Sequence, residues 1–101
     1  MYNNYLKNVE TLIPGTTAVE NEMNGFLGTD ITFNGKVFNC WVDGYKVTMM
    51  FKNRFNKYHT IKNIPKNSFT IGKKEATNAK HAEELKKYFN MILMYAGEYE
   101  G

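Results

Sequence analysis

Two turn dipeptides constrain the fold of this chain more than any other feature of its sequence. Asn34-Gly35 and Asp43-Gly44 lie nine residues apart, and β-prone runs flank each of them. Both dipeptides suit the two-residue type I′ turn of a β-hairpin, because Asn, Asp and Gly tolerate positive φ. The sequence therefore predicts two consecutive hairpins that form a three-stranded antiparallel meander.

Two-residue loops would also set the register of this meander. Phe33 would then face Lys36 across the first hairpin, and Val42 would face Tyr45 across the second. This register gives the sheet one apolar face on which Lys36 is the only polar exception. The apolar residues on that face are Ile31, Phe33, Phe38, Cys40, Val42, Tyr45, Val47, Met49 and Phe51. Such a face requires a helix or a second layer to cover it.

Helical periodicity predicts that cover near both ends of the chain. Apolar residues from Tyr2 to Ile13 recur at helical spacing, and Pro14-Gly15 ends the pattern. A longer helix is predicted over residues 74–96, with Gly97 as its C′ residue and a frayed acidic tail after it. The apolar face of this helix carries Ala82, Leu85, Phe89, Ile92, Leu93 and Ala96.

Two further segments give weaker patterns. The capping-box pattern Thr17-x-x-Glu20 predicts a short helix that Asn24-Gly25 ends, with a plain loop as the alternative. After Lys52 the sequence predicts a loop, a short strand at 59–61 and an edge strand at 69–71. The predicted fold is a single α+β domain, residues 1–101. It consists of an antiparallel three- to four-stranded β-meander packed against a long C-terminal helix, with an N-terminal helix.

Composition excludes several classes of protein. The chain is 43% hydrophobic and 23% charged, which is typical of an ordinary globular domain. Its single cysteine excludes an internal disulfide framework, and the sequence contains no signal peptide pattern or apolar run long enough to span a membrane. We therefore expect a cytoplasmic protein that does not bind a membrane.

The positive charge is concentrated in one stretch. Residues 45–74 hold eight of the thirteen basic residues and no acidic one, whereas the segments before and after are each net negative. Aromatic residues alternate with these cations, and nucleic-acid binding uses both, because cations neutralise phosphates and rings stack on bases. The candidate binding residues are Lys46, Lys52, Arg54, Phe55, Lys57, Tyr58, Lys62 and Lys66. In the competing interpretation the rings belong to the core and the lysines form a solvated rim.

Trp41 lies on the second, mixed face of the predicted sheet, opposite Lys46 and near Met50. If no helix covers that face, Trp41 and Met50 form a possible protein interface. Because large exposed apolar patches are rare, the sequence favours a second small core that the N-terminal helix closes.

No catalytic or metal-binding arrangement in the sequence is complete. His81-x-x-Glu84 places two candidate ligands one helical turn apart, but further ligands are missing. Cys40 with His59 or His81 lacks the surroundings of an activated thiol. We therefore expect no enzymatic activity, no metal and no small-molecule cofactor.

Two functions are consistent with these observations. The first is a small non-enzymatic binding protein whose residues 45–74 dock on nucleic acid or on a protein that handles nucleic acid. The alternative is an inhibitor, encoded by a phage or mobile element, that occludes a host protein such as a defence nuclease. Half of the residues are types with AT-rich codons, which agrees with such an origin. A structural or oligomer-forming role is a third possibility, and the oligomeric state stays open.

Overall fold

A computed structural model describes residues 5–23 and 25–99, apart from the side chains of Met23 and Phe26. Five antiparallel strands form one sheet in chain order. These strands are β1 (Thr17–Met23), β2 (Phe26–Phe33), β3 (Lys36–Asp43), β4 (Lys46–Lys52) and β5 (Tyr58–Pro65). The helices are α1 (Val9–Leu12), which continues a 3-10 turn at Tyr5–Asn8, and α2 (Glu75–Tyr95), which follows a 3-10 turn at Lys66–Phe69. The α+β class and both terminal helices are confirmed, but the sheet has five strands.

The first predicted hairpin is confirmed in both turn and register. Asn34 and Gly35 have φ values of +52° and +75°, the pattern of a type I′ turn. Phe33 pairs with Lys36, and Ile31 pairs with Phe38.

The second predicted hairpin has the right strands but the wrong register. Its two central residues are Gly44 and Tyr45, so Asp43 pairs with Lys46 and Val42 pairs with Val47. Positive φ falls on Gly44 alone, as in a type II′ turn, whereas the predicted loop would have required it at Asp43. Tyr45 consequently leaves the apolar face and is exposed. The pairing of β3 with β4 is shifted by two residues from the predicted register, so the other side chains of these strands stay on the predicted faces of the sheet.

The helix predicted around residues 17–26 is wrong, because this segment forms β1 and its connection to β2. Ala18 of β1 pairs with Ile31 of β2, which gives its side chain a place in the core. Pairing with a neighbouring strand overrides a local capping pattern. Gly25, read as a helix stop, has a φ of +83° between strands that pair Met23 with Phe26.

β5 is the longer form of the strand predicted at 59–61, whereas the strand predicted at 69–71 is wrong. Phe69 ends a 3-10 turn and is fully buried, because the chain turns toward the core after Pro65. A register irregularity interrupts the pairing of β4 with β5, and Asn63 has a φ of +70° beside it. This bulge and Pro65 limit how far a further strand can pair with the edge of β5.

The core lies on one face of the sheet. Phe89 of α2 stacks on Phe33 at 4.8 Å and meets Phe38 edge-on at 4.9 Å, and Phe38 lies 5.1 Å from Phe51 between ring centroids. Leu6 and other buried residues of the N-terminal helical segment join the same cluster. Every predicted apolar position of α2 from Ala82 to Ala96 is buried there.

α2 ends as predicted, with Gly97 as its C′ residue, but Glu98, the residue after Gly97, is fixed by hydrogen bonds and ion pairs. Gly97 has a φ of +74°, and its N–H bonds the Met94 carbonyl while the Glu98 N–H bonds the Leu93 carbonyl at 2.8 Å. This is a Schellman motif. The prediction of a frayed tail is therefore wrong at Glu98, whose carboxylate contacts Arg54 and Lys36. Tyr2, Asn24, Glu100 and Gly101, which those predictions included, lie outside the described residues.

In the ranges that the structure describes, neither helix has the length and apolar character needed to cross a membrane.

The position of Phe89 between two core rings predicts a large effect on stability. Phe89→Ala should lower the free energy of unfolding by about 3–5 kcal/mol, because it leaves a cavity among rings that cannot close over it. Met94→Ala is the matched control on the same helix, since Met94 is 60% exposed, and it should change that free energy by less than about 0.5 kcal/mol. Urea denaturation of the two variants checks this, and equal losses would contradict the assigned core.

Candidate functional site

The second face of the sheet is open. All buried apolar residues of the helices belong to the cluster on the first face, so no helix among residues 5–23 and 25–99 packs on the second. We call the surface formed by the outward residues of β3, β4 and β5 the open face. The prediction that the N-terminal helix covers Trp41 is thus wrong, because that helix buries Leu6, Val9 and Leu12 against the other side.

Trp41 and Met50 lie near the middle of the open face, both partly exposed. Trp41 pairs with Thr48 and not with Lys46, since the second hairpin takes the other register. Met50 pairs with Asn39 on one side and with Thr60 on the other. The apolar patch is therefore narrow and is bordered by small polar side chains.

Three of the predicted basic residues point to the open face. Lys46 and Lys52 lie at the two ends of β4, and Lys62 follows the inward-facing Ile61 of β5. Lys52 pairs with Tyr58, whose ring is 57% exposed and lies 5.7 Å from the Lys52 ammonium. Cations and an accessible ring therefore occur together at this edge of the sheet.

The loop between β4 and β5 carries three more predicted residues, Arg54, Phe55 and Lys57, all exposed. The Arg54 guanidinium lies 5.0 Å from the centre of the Phe55 ring, a cation–π distance. The loop thus extends the basic, aromatic character of the open face beyond the end of the sheet.

Buried Asn53 fixes the shape of this loop. Its Oδ1 accepts the backbone N–H groups of Phe55 and Lys57 at 2.9 and 3.0 Å. Because these bonds orient the amide, Nδ2 donates to His59 Nε2 at 3.2 Å and to the Ala96 carbonyl at 3.3 Å. His59 is therefore an acceptor at Nε2, and the loop is attached to the end of α2.

Glu98 makes a second attachment between the loop and α2. Its Oε1 accepts the Arg54 backbone N–H at 2.9 Å and lies 3.8 Å from Arg54 Nε, while Oε2 lies 3.7 Å from Lys36 Nζ. The hydrogen bond from the Arg54 backbone and the two cations hold the pKa of the Glu98 carboxyl below its usual range. The sequence signal for this contact was Lys36, the one polar residue on the apolar face.

A cleft separates the ends of β3 and β4 next to Glu98. The pairing of these strands ends at Asn39 and Met50, although β3 begins at Lys36 and β4 continues to Lys52. The space between them has a volume of about 390 Å³. We call it the β3–β4 cleft, and its lining includes Lys36, Val37, Asn39, Lys52, Arg54 and Glu98.

Lys66 is not part of this assembly. Its ammonium lies 4.8 Å from the centre of the Tyr5 ring, and its backbone N–H bonds the Tyr45 carbonyl at 3.0 Å. Lys66 follows Pro65, which pairs with Lys46 of the open face, but its ammonium lies against Tyr5, which packs on the core. The eight predicted residues therefore divide into an open-face and loop group of seven and Lys66, which contacts the N-terminal segment.

A polar ladder crosses three strands of the second face beside Trp41. The two carboxylate oxygens of Asp30 accept hydrogen bonds from Asn21 Nδ2 at 2.8 Å and Asn39 Nδ2 at 2.7 Å. The ladder satisfies the Asp30 carboxylate, which lies in the centre of this face. Sequence reasoning missed it, because the pairing of β1 with β2 was not predicted.

The side chains of the weak catalytic and metal motifs are buried or hydrogen-bonded to other groups. Burial raises the pKa of the Cys40 thiol far above its usual range, and the Asp30 carboxylate raises it further. His81 Nδ1 lies 2.7 Å from the Thr70 carbonyl and so carries the proton, while Glu84 accepts from the Ser68 hydroxyl at 3.1 Å. These side chains are thus engaged in structural hydrogen bonds.

No family model matches the chain, and neither a curated protein nor a solved structure resembles it closely enough to count as a match.

The lowered pKa of Glu98 predicts a pH-dependent contribution to stability. As the pH falls, the unfolded chain takes up a proton at this carboxyl before the folded protein does, so the contribution is lost. The free energy of unfolding of the wild type should exceed that of Glu98→Gln above the unfolded-state pKa. The difference should shrink as the pH falls through the lower folded-state pKa.

Urea denaturation of both proteins between pH 7 and pH 3 measures this difference. Glu83→Gln is a matched control, because Glu83 forms an ion pair with Lys86 but its side chain is 77% exposed. A difference at Glu98 that stays constant with pH would show that the carboxylate charge contributes nothing to stability.

Proposed function

We propose that this protein is a non-enzymatic binding protein that docks single-stranded nucleic acid on the open face and the adjoining β4–β5 loop. The observation that supports the proposal most directly is the uncovered face itself, to which Lys46, Lys52 and Lys62 point together with Tyr58 and Trp41. Exposed rings on a sheet stack on unpaired bases, and neighbouring cations neutralise the phosphates.

The spacing of the cations supports binding to an extended strand. Lys46 and Lys52 are six residues apart on β4, which corresponds to about 20 Å along a strand. Lys62 lies on the neighbouring strand between them, and Arg54 and Lys57 continue the positive charge beyond Lys52. A nucleic-acid strand that lies along β4 would therefore meet a cation at each end of β4, between these ends and beyond Lys52.

The width of the sheet argues for a single strand over the groove of a duplex. Five strands at about 4.8 Å spacing make a surface about 19 Å wide, whereas the major groove of B-DNA is about 12 Å wide. A flat face of this width cannot enter that groove. The same face can be reached by the bases of a single strand, which are already unstacked.

Two acidic residues described on the second face lie next to groups that offset their charge. Asp43 is directly opposite Lys46 in the hairpin register, and Asp30 accepts two amide hydrogen bonds. Opposite charges across a strand pair reduce the repulsion that a phosphate would meet.

A protein target is the alternative, and the uncovered Trp41–Met50 patch favours it. Tryptophan is among the residues that most often dominate the energy of protein interfaces. On this hypothesis the protein is an inhibitor that occludes its partner, consistent with a phage or mobile-element origin. Dependence on salt separates the two hypotheses, because neutralised phosphates release counterions whereas an aromatic-anchored interface depends less on salt.

Binding of fluorescent single-stranded DNA and RNA oligonucleotides across a salt series tests the proposal. If about four phosphates are neutralised, affinity should fall roughly 50-fold between 50 and 200 mM salt. The triple variant Lys46→Gln, Lys52→Gln, Lys62→Gln should bind weakly, with a slope of log affinity against log salt near about −1 in place of about −3.

The matched control neutralises three exposed lysines away from the open face, Lys73→Gln, Lys80→Gln, Lys87→Gln. It removes the same net charge and should retain most of the affinity and nearly the full salt slope. Absence of binding at low salt, or equal losses in both triple variants, would refute nucleic-acid docking on the open face. Capture of a partner protein would then become the relevant measurement.

Tyr58 provides a separate test of base stacking. Tyr58→Ala should weaken oligonucleotide binding by about 5- to 150-fold, the loss expected for one stacked base. Tyr58→Phe keeps the ring and should bind nearly as the wild type does. Because Tyr58 is largely exposed, neither change should lower stability much. Equal affinity of the two variants would exclude stacking on this ring.

A further inference from the structure

We propose that the β3–β4 cleft is the site of one backbone phosphate and that the Glu98 carboxylate acts there as a built-in competing anion. This inference deepens the proposed function and rests on it for the identity of the natural ligand. It adds a phosphate subsite at one end of the open face, with Lys52 common to both, and it assigns to Glu98 a negative effect on affinity.

Three separate segments bring cations to the cleft. Lys36 comes from the start of β3, Lys52 from the end of β4, and Arg54 from the following loop. The fold brings these cations together, and not their proximity in the sequence, since Lys36 lies outside the basic stretch at 45–74. Lysine and arginine are the side chains that neutralise phosphate, and the Arg guanidinium can donate two parallel hydrogen bonds to it.

The carboxylate of Glu98 shows that this group of cations accommodates an anion. One of its oxygens lies 3.7 Å from Lys36 Nζ, and the other lies 3.8 Å from Arg54 Nε. Only 10% of the Glu98 side chain is exposed, although among the described residues three cations line the cleft against this one acid. The cleft therefore keeps a net positive charge that a phosphate can neutralise.

Competition follows from the same geometry. A phosphate in the cleft draws Lys36 and Arg54 away from Glu98 and meets the repulsion of its negative charge. Glutamine at this position keeps an oxygen that accepts the Arg54 backbone N–H, but it removes the charge. Glu98→Gln should therefore bind anions more tightly, although the same substitution lowers stability at neutral pH.

Two probes test the proposal, pyrophosphate and a single-stranded oligonucleotide, each added to the chain of residues 1–101. With ¹⁵N-labelled protein, pyrophosphate should cause saturable shifts in the amide signals of residues 36–39 and 51–54. Glu98→Gln should tighten both interactions about three- to tenfold, the combined size of two partly exposed ion pairs. Lys36→Gln, with Glu98 intact, should weaken both.

Glu83→Gln is the control for net charge, since it frees Lys86 on α2 and leaves the cleft unchanged. Equal affinities of Glu98→Gln and Glu83→Gln, or pyrophosphate shifts outside the cleft, would overturn the inference. An oligonucleotide that binds the wild type but gains nothing from Glu98→Gln would overturn it while the proposed function stands. If the oligonucleotide does not bind, the proposed function fails and the pyrophosphate titration alone decides whether the cleft binds anions.

Discussion

The burial of the sheet on one side only is the constraint on which the rest of this structure depends. α2 and the short N-terminal helix supply enough apolar surface for one face, centred on Phe38 and Phe89. The other face must therefore remain compatible with water, and it does so through threonine, asparagine and lysine around Trp41 and Met50. The uncovered apolar side chains on this face are the reason that we propose it as a binding surface.

Asn53 and Glu98 connect the stability of the protein with the arrangement of its basic residues. Asn53 holds the β4–β5 loop through two backbone bonds and donates to the carbonyl of Ala96, the C-cap residue of α2. Glu98 continues the same connection from the Schellman motif to the Arg54 backbone. Packing of α2 in the core thus determines where Arg54 and its neighbours lie, although they are exposed. A change that loosens the end of α2 should also disperse these cations.

Elements with strong local signals were predictable from the sequence, and elements that depend on a distant partner were not. Asn34-Gly35 specifies its turn chemically, and the apolar period of α2 is long enough to exclude a strand. β1 has no such signal, because only Ala18 is buried among its described side chains and its pairing depends on β2. The register error at Gly44 arose because glycine suits either central position of a turn, so the dipeptide alone left two solutions.

The sequence predicted the basic and aromatic character of the candidate site, but it did not predict correctly which residues belong to it. Contiguity along residues 45–74 placed Lys66 with the other cations, whereas the fold sets its ammonium against Tyr5 of the N-terminal segment. Lys36 was left out because it precedes the stretch, yet the first hairpin brings it next to Arg54 through their shared partner Glu98. Its position as the lone charge on an apolar face was the available clue, since a charge retained there requires a partner. That partner is Glu98, whose carboxyl has a lowered pKa and whose single negative charge faces three cations of the cleft. An ion pair that served stability alone would require only one cation, so the surplus of positive charge at the cleft is the stronger argument that an external anion binds there.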